Sequence, residues 1–214
     1  FLAALTTISI TAVQAQEVRL GAKGGLNFAT IGGDNTDDAN WLTGFHIGAL
    51  VEVPVTERFA VQPEVLYSFQ GASNETNESF LGVNFKNTLE TKLDYINVPI
   101  IAKYYIIDGL AIEAGPQVGF LVKAKAEYDL DIDGNIDPTI AQQIENQFET
   151  GDVDISDQTK SVDFALALGA SYRLNMGVFF SARYNIGLSN INDVDNFNDK
   201  NHNSVFQIST GYSF

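Results

Sequence analysis

The chain has 214 residues, 45% hydrophobic and only 18% charged, which suits one domain and excludes a disordered polyelectrolyte. Lys and Arg total 12 against 27 Asp and Glu; the resulting net charge of −15 repels polyanions and excludes nucleic acid as a partner. Cysteine is absent, which excludes disulfide scaffolds, thiolate metal sites and thiol catalysis.

Residues 1–13 are apolar or small and uncharged, and Val13-Gln14-Ala15 carries small residues where a signal peptidase reads them. Residues 1–15 are therefore expected to be a signal-peptide remnant and 16–214 the mature domain. The rest of the chain repeats one pattern: apolar and polar residues alternate, the mark of a strand with two unlike faces. Eight such segments fall at 18–28, 45–53, 59–69, 89–105, 110–123, 162–173, 178–187 and 206–214. In the fourth the phase slips near Tyr95-Ile96, which predicts a β-bulge there. Short turns (54–58, 106–109, 175–177) alternate with long polar loops (29–42, 71–88, 128–160, 189–203). That asymmetry fits an up-and-down meander with all its long loops at one end.

Alternation alone does not choose between a soluble barrel with an apolar inside and a membrane barrel with an apolar outside. Three features favour the second. Ten residues at ~3.3 Å rise and ~40° tilt span about 25 Å, the height of an outward apolar band. Gly21, Gly25, Gly44, Gly48, Gly115, Gly119, Gly169, Gly187 and Gly211 all fall on the polar face, where a narrow lumen needs small residues. Aromatics gather in two girdles, Trp41, Phe45, Tyr67, Phe69 and Tyr95 near the long loops, and Phe59, Tyr104, Tyr172, Phe180, Tyr212 and Phe214 near the short turns.

The expected fold is thus all-β: an eight-stranded antiparallel up-and-down transmembrane β-barrel with short periplasmic turns and long extracellular loops. An even strand number puts both termini on the periplasmic side. In hydrocarbon no strand edge can stay unpaired, so the sheet closes. Its lumen would hold Arg19, Lys23, Lys123, Arg173 and Arg183 against Glu52, Glu64, Glu113 and Asp163. Buried charges need partners, which predicts a salt-bridged plug rather than an open pore.

Several stretches resemble the PorT-like outer-membrane β-barrel family, whose members are also described as OmpA/OmpX-like or porin-like. Leu93 to Tyr105 (LDYINVPIIAKYY) is similar to its "Y-L-x-I-P-L-L-x-K" strand. Gly21, Lys23, Gly24, Gly25 and Asn27 resemble its first strand, and Gln62-Pro63-Glu64-Val65-Leu66-Tyr67-Ser68 its "Q-P-E-L-x-Y-S" strand. The end, Thr210-Gly211-Tyr212-Ser213-Phe214, looks like the signal read by the outer-membrane assembly machinery, with Tyr212 and Phe214 as its aromatics. The resemblance implies a non-enzymatic barrel without catalytic residues; a few members serve the type IX secretion and gliding apparatus.

Three further features carry candidate chemistry. Asp129, Asp131, Asp133, Gly134, Asn135 and Asp137 follow the spacing of a calcium loop, but Ile140 stands where a bidentate Glu is required. The same Asp/Leu/Asp/Ile alternation reads as a barrel strand extended above the membrane, with no cofactor. Asp137-Pro138 could cap a short helix through Phe148, with Ile140, Ala141, Ile144 and Phe148 on one side. His46 should point into the lumen as a hydrogen-bonded structural residue; His202 lies in the fourth loop, and no Ser/His/Asp spacing stands out.

The reading is a plugged barrel with a structural or surface-contact role, its partners the lipid bilayer and the assembly machinery. Alternatives are a barrel component of a type IX secretion or gliding apparatus, a narrow porin for small solutes, and a soluble lipocalin-like ligand-binding barrel. Of the 27 acids, 18 lie in the four long loops when Glu127, at the edge of the third, is included, so the charge belongs to a crown rather than to the barrel wall.

Overall fold

The computed structural model describes residues 18–34, 36, 39–80, 83–134, 137, 139, 151–193 and 199–214. The signal-peptide remnant, most of the predicted helix after Asp137, and Asn135 lie outside these residues. The strands are β1 (Arg19–Gly33), β2 (Ala39–Pro54), β3 (Phe59–Phe80), β4 (Val83–Ile107), β5 (Leu110–Gly134), β6 (Gly151–Asp154), β7 (Val162–Arg173), β8 (Val178–Gly187) and β9 (Asn201–Ser213), with one 3-10 turn at Ser156–Gln158. All ladders are antiparallel.

The sheet order β4-β3-β2-β1-β9-β8-β7-β5 closes through β4–β5 pairing, giving a ring of eight. Short β6 sits outside it, paired with β5 at Lys125–Tyr128 beyond the stretch of β5 that pairs with β7. All eight predicted segments are ring strands. Closure costs curvature, and glycine absorbs it. A Cβ on Gly25 would stand 1.9 Å from the Ile208 carbonyl oxygen, so no side chain fits on that inward position. At the short end Gly177 takes φ +92°, which lets Leu174 to Val178 reverse tightly.

The barrel is turned inside out relative to a soluble protein. Leu20, Phe45, Ile47, Val65, Ile112, Phe164, Leu168 and Ile208 point outward and are exposed. Lys23, Glu52, Glu64, Lys103, Glu113 and Arg183 point inward and are buried. Such a surface is stable only against lipid, where the apolar belt stays out of water and the closed ring satisfies every backbone group. No described helix is long and apolar enough to cross a membrane; the crossing elements are strands. Aromatics form belts at both ends, with Trp41 and a Phe45–Phe69 stack near the long loops (centroids 6.3 Å apart) and Tyr104, Tyr172, Phe180 and Tyr212 near the short turns.

Four expectations need correction. Tyr95 does not join the outer girdle; it points inward and is fully buried. The bulge is not in the fourth segment. Asp94 pairs with Lys123 and Tyr95 with Leu121, so Val122 is the extra residue, on β5. Inward positions therefore run unbroken from Leu93 to Tyr105 on β4, while the phase of β5 flips after Leu121 and turns Lys123 out to solvent. Finally, 71–80 and 83–88 are not a polar loop. They continue β3 and β4 beyond the membrane band as a long hairpin, with Asn74 opposite Leu89 and Ser79 opposite Asn84. The upper half of β5 lies alongside, with Thr88 opposite Asp129 and Lys86 opposite Asp131.

Candidate functional site: the barrel interior

The lumen is built by alternate residues of the ring strands, and its charges form one continuous chain. At the short-turn end Arg19 Nη1 bonds Glu52 Oε1 at 2.7 Å. Lys103 Nζ reaches Glu52 Oε2 at 2.8 Å and Glu113 Oε1 at 3.7 Å. The Tyr105 hydroxyl donates to Glu52 Oε2 at 2.9 Å. Arg183 Nη2 bridges Glu113 Oε2 and Glu64 Oε1, both at 2.9 Å, while its Nη1 donates to Glu64 Oε2 at 3.0 Å. Lys23 Nζ closes the chain on Glu64 Oε2 at 2.7 Å. Gln62 joins the two halves, accepting from Lys103 at 3.1 Å and donating to Glu64 at 2.6 Å. Six ring strands contribute to this cross-link (β1, β2, β3, β4, β5 and β8). Each buried carboxylate accepts from at least two donors, the condition for ion pairs to offset their loss of hydration.

Beside it lies a neutral cluster around His46. Asn27 Nδ2 donates to the Ser68 hydroxyl and the Phe45 and Phe69 carbonyls at 2.9, 3.0 and 2.7 Å. That leaves Asn27 Oδ1 as the acceptor, which takes bonds from Gln207 Nε2 at 2.9 Å and His46 Nδ1 at 2.8 Å. The proton of His46 therefore sits on Nδ1, and Nε2 accepts from the Ser209 hydroxyl at 2.7 Å. This Ser–His–Asn row spans three strands and no sequence spacing announces it. Its members are buried and mutually satisfied.

Further up, packing replaces charge. Leu93, Tyr95, Ala124 and Ile191 form a buried apolar cluster with Ile31, Leu121 and Ile155 against it. Ile191 and Ile155 come from the loops, held by backbone bonds from Ile191 N to the Asn201 carbonyl and from Ile155 N to the Ala124 carbonyl. At the opposite end a cavity of about 650 Å³ opens between the short turns, lined among others by Arg19, Glu57, Tyr105, Asp108 and Arg173.

Six of the nine predicted lumen charges, Arg19, Lys23, Glu52, Glu64, Glu113 and Arg183, thus meet in one network. Asp163 is inside but apart from it. Arg173 sits half-buried at the short-turn mouth and forms no ion pair among the described residues. Lys123 is outside. Lys103 is the member that sequence reasoning missed; an unbroken phase along β4 would have found it.

Of the proposed calcium ligands, Asp129, Asp131 and Asp133 lie on the extended part of β5, spaced by the two-residue strand repeat of about 6.6 Å. They do not wrap a common point as in a binding loop, and the described residues hold no cluster of three or more metal-ligating His, Cys, Asp or Glu. Other acids of the extension pair with lysines: Asp152 with Lys125, Glu90 and Glu127 with Lys92, and Glu75 with Lys86. The hydrogen bond to Asp152 raises the Lys125 pKa and, from the other side, lowers that of Asp152; Lys125 is partly exposed and Asp152 exposed. Tyr212 and Phe214 face outward with their rings edge to face, centroids 5.1 Å apart.

Comparison with known proteins adds a family match: outer membrane protein beta-barrel domain, over residues 14–193. Among solved structures, the chain is similar to Ail, the attachment invasion locus protein of Yersinia pestis, in complex with the heparin analogue sucrose octasulfate. Identity is 13% and TM-score 0.48, over 92% of this chain and 99% of that one. It is also similar to Neisserial surface protein A, at 12% identity and TM-score 0.46, over 92% and 97% of the two chains. OprG from Pseudomonas aeruginosa follows at 12% identity and TM-score 0.40, over 92% and 95%. No curated protein matches the chain.

Proposed function

We propose, from the premise that this chain belongs to the family of outer membrane protein beta-barrel domains, that it is a non-enzymatic surface protein whose lumen is closed to solutes. The observation that carries this reading is the ion-pair chain from Arg19 to Lys23, with Arg183 tied to two carboxylates across the barrel axis. Its members are small in number but span the interior of an eight-strand ring, which is just wide enough to be filled by side chains. The apolar cluster at Leu93 and Tyr95 supports the same reading at the long-loop end. Ser209 and His46 are both buried, so their row offers a substrate no open approach, which supports a non-catalytic reading.

The long-loop end is read as extracellular and both termini as periplasmic, by analogy with the short-turn and long-loop asymmetry of such barrels. The part on offer to the outside is then the β3–β4–β5 extension with its acidic row of Asp129, Asp131 and Asp133. Outward Tyr212 and Phe214 suit recognition of the last strand by the assembly machinery, and residues 1–15 suit an export signal.

Reconstitution into planar bilayers tests the central claim. Silent bilayers are expected; stable single-channel steps would replace the closed barrel with a narrow pore. Because the chain has no cysteine, single cysteines placed at Ser79 and at Asn175 test orientation with an impermeant maleimide on intact cells. Labelling at Ser79 alone is expected, and labelling at Asn175 alone would invert the topology.

A further inference from the structure

Between the ion-pair chain and the apolar cluster lies a stretch of lumen where polar atoms outnumber their partners. Asn97 Nδ2, Gln117 Oε1, the Tyr95 hydroxyl and both amide atoms of Asn185 and of Asn203 are buried without a hydrogen-bond partner among the described residues. Buried polar groups are rarely left so, because each gives up its hydrogen bonds to water without a replacement. The inward positions beside them are small residues (Gly115, Gly119, Ala165, Ala167 and Gly187).

One point in this space is well defined. A Cβ on Gly119 would lie 2.7 Å from Asn97 Oδ1, 3.2 Å from Tyr95 Cδ1 and 3.7 Å from Asp163 Cβ. Three side chains from β4 and β7 thus converge over a residue that has none. Gln117 projects from the same face of β5, one strand repeat away. Asp163 is 94% buried, and no Lys or Arg among the described residues pairs with it. Its Oδ1 accepts from the Ser189 hydroxyl. The base whose charge acts on it is His202, whose Nδ1 donates to the Ser189 carbonyl at 2.9 Å and so is turned to that loop. The ion-pair chain does carry one more cation than carboxylates, but the surplus sits at Arg19, in the opposite mouth.

We propose that the Asp163 carboxylate, with the Gln117 and Asn97 amide oxygens and the Tyr95 hydroxyl, forms an internal site for a small alkali cation such as sodium. One carboxylate supplies the single negative charge that a monovalent ion needs, and three neutral oxygens complete a hard-donor shell. The set lacks the several carboxylates that hold calcium and the nitrogen or sulfur ligands that zinc selects. A bound cation would neutralise Asp163 and give the unpartnered Gln117 Oε1 and Tyr95 hydroxyl oxygen a partner at once.

The test compares unfolding of the detergent-folded protein in sodium chloride with choline chloride at constant ionic strength. Saturable stabilisation by sodium is expected, reaching about a hundredfold in the folded-to-unfolded ratio at ~100 times the dissociation constant. It should vanish in Asp163→Asn. Gly119→Ala, which fills the point of convergence, should also abolish it and serves as the deciding variant if Asp163→Asn does not fold. Thallium-soaked crystals should show an anomalous peak between Asp163 and Gln117. Equal stability in sodium and choline would overturn the proposal, as would sodium dependence of the same size in the foldable variants or a thallium-free site.

Discussion

The two halves of the lumen solve the same problem in opposite ways. Near the short turns the interior is dense with charge, and nearly every polar atom is paired. Lys23, Arg183 and Lys103 are each locked to carboxylates at or below 3.0 Å. Near the long loops the interior is capped by Leu93, Tyr95 and Ile191, and several amide atoms beneath have no partner among the described residues. The lower half draws its order from electrostatics, the upper half from packing. The difference teaches where a substitution should hurt and by which mechanism.

Glu64→Ala should be the most damaging change. It strips Lys23 and Arg183 of a shared carboxylate deep in the barrel, and an orphaned buried charge costs about 3–5 kcal/mol. The denaturant midpoint in detergent should fall accordingly; a loss under about 1 kcal/mol would mean the lower half is held by packing after all. Leu93→Ala should come next, at about 2–4 kcal/mol, because it opens a cavity in the apolar cap. If Leu93→Ala proves harmless while Glu64→Ala is severe, packing does not hold the upper half.

Asn27→Ala removes the common partner of His46, Gln207 and Ser68, and about 1–3 kcal/mol should follow in the same assay. Asn185→Leu removes two orphaned polar atoms instead of a network member. Its midpoint should stay within about 0.5 kcal/mol or rise, since an apolar residue of similar size replaces an unpaired amide. A large loss would show that the upper amides are as tightly engaged as the lower charges.

The smallest effect is expected outside the membrane, at the Lys125–Asp152 pair that ties β6 to β5. Asp152 titrates below an ordinary aspartate, so its contribution is present above the ordinary value and is lost as pH falls through the lowered one. Lys125 behaves conversely: its contribution holds below the ordinary lysine value and is lost as pH rises through the raised one. Amide exchange in Gly151–Asp154 should therefore speed up below about pH 4 relative to neutral pH, beyond the intrinsic pH dependence. Unchanged protection would show that β6 is held by its backbone ladder alone.

Much of the interior was legible from alternation. On β1, β2, β3, β7, β8 and β9 the period of two names each inward residue, from Arg19 and Lys23 to Arg183 and Gln207. The failures cluster on β4 and β5. There Leu93, Tyr95 and Ile101 are apolar yet inward, the first two as part of the apolar cap and Ile101 among the polar groups below it, and this masked the true phase of β4. Lys103 was lost with it, and Lys123 was misplaced by an extra residue that only the β4–β5 register reveals. The extension at 71–88 was hidden for another reason. Its face above the membrane meets water on both sides, so little hydrophobic contrast marks it as strand.

By itself the sequence determined the number of spanning strands, which of their faces meets lipid, and that the excess acid lies in the crown. These follow from local rules, since a period of two and a requirement to bury apolar surface in lipid act within each strand. Partnership was decided only by the tertiary structure: which carboxylate each cation meets, the bulge at Val122, the Ser209–His46–Asn27 row, and the convergence on Gly119. These depend on register between strands far apart in the chain, and register is set by closing the ring as a whole.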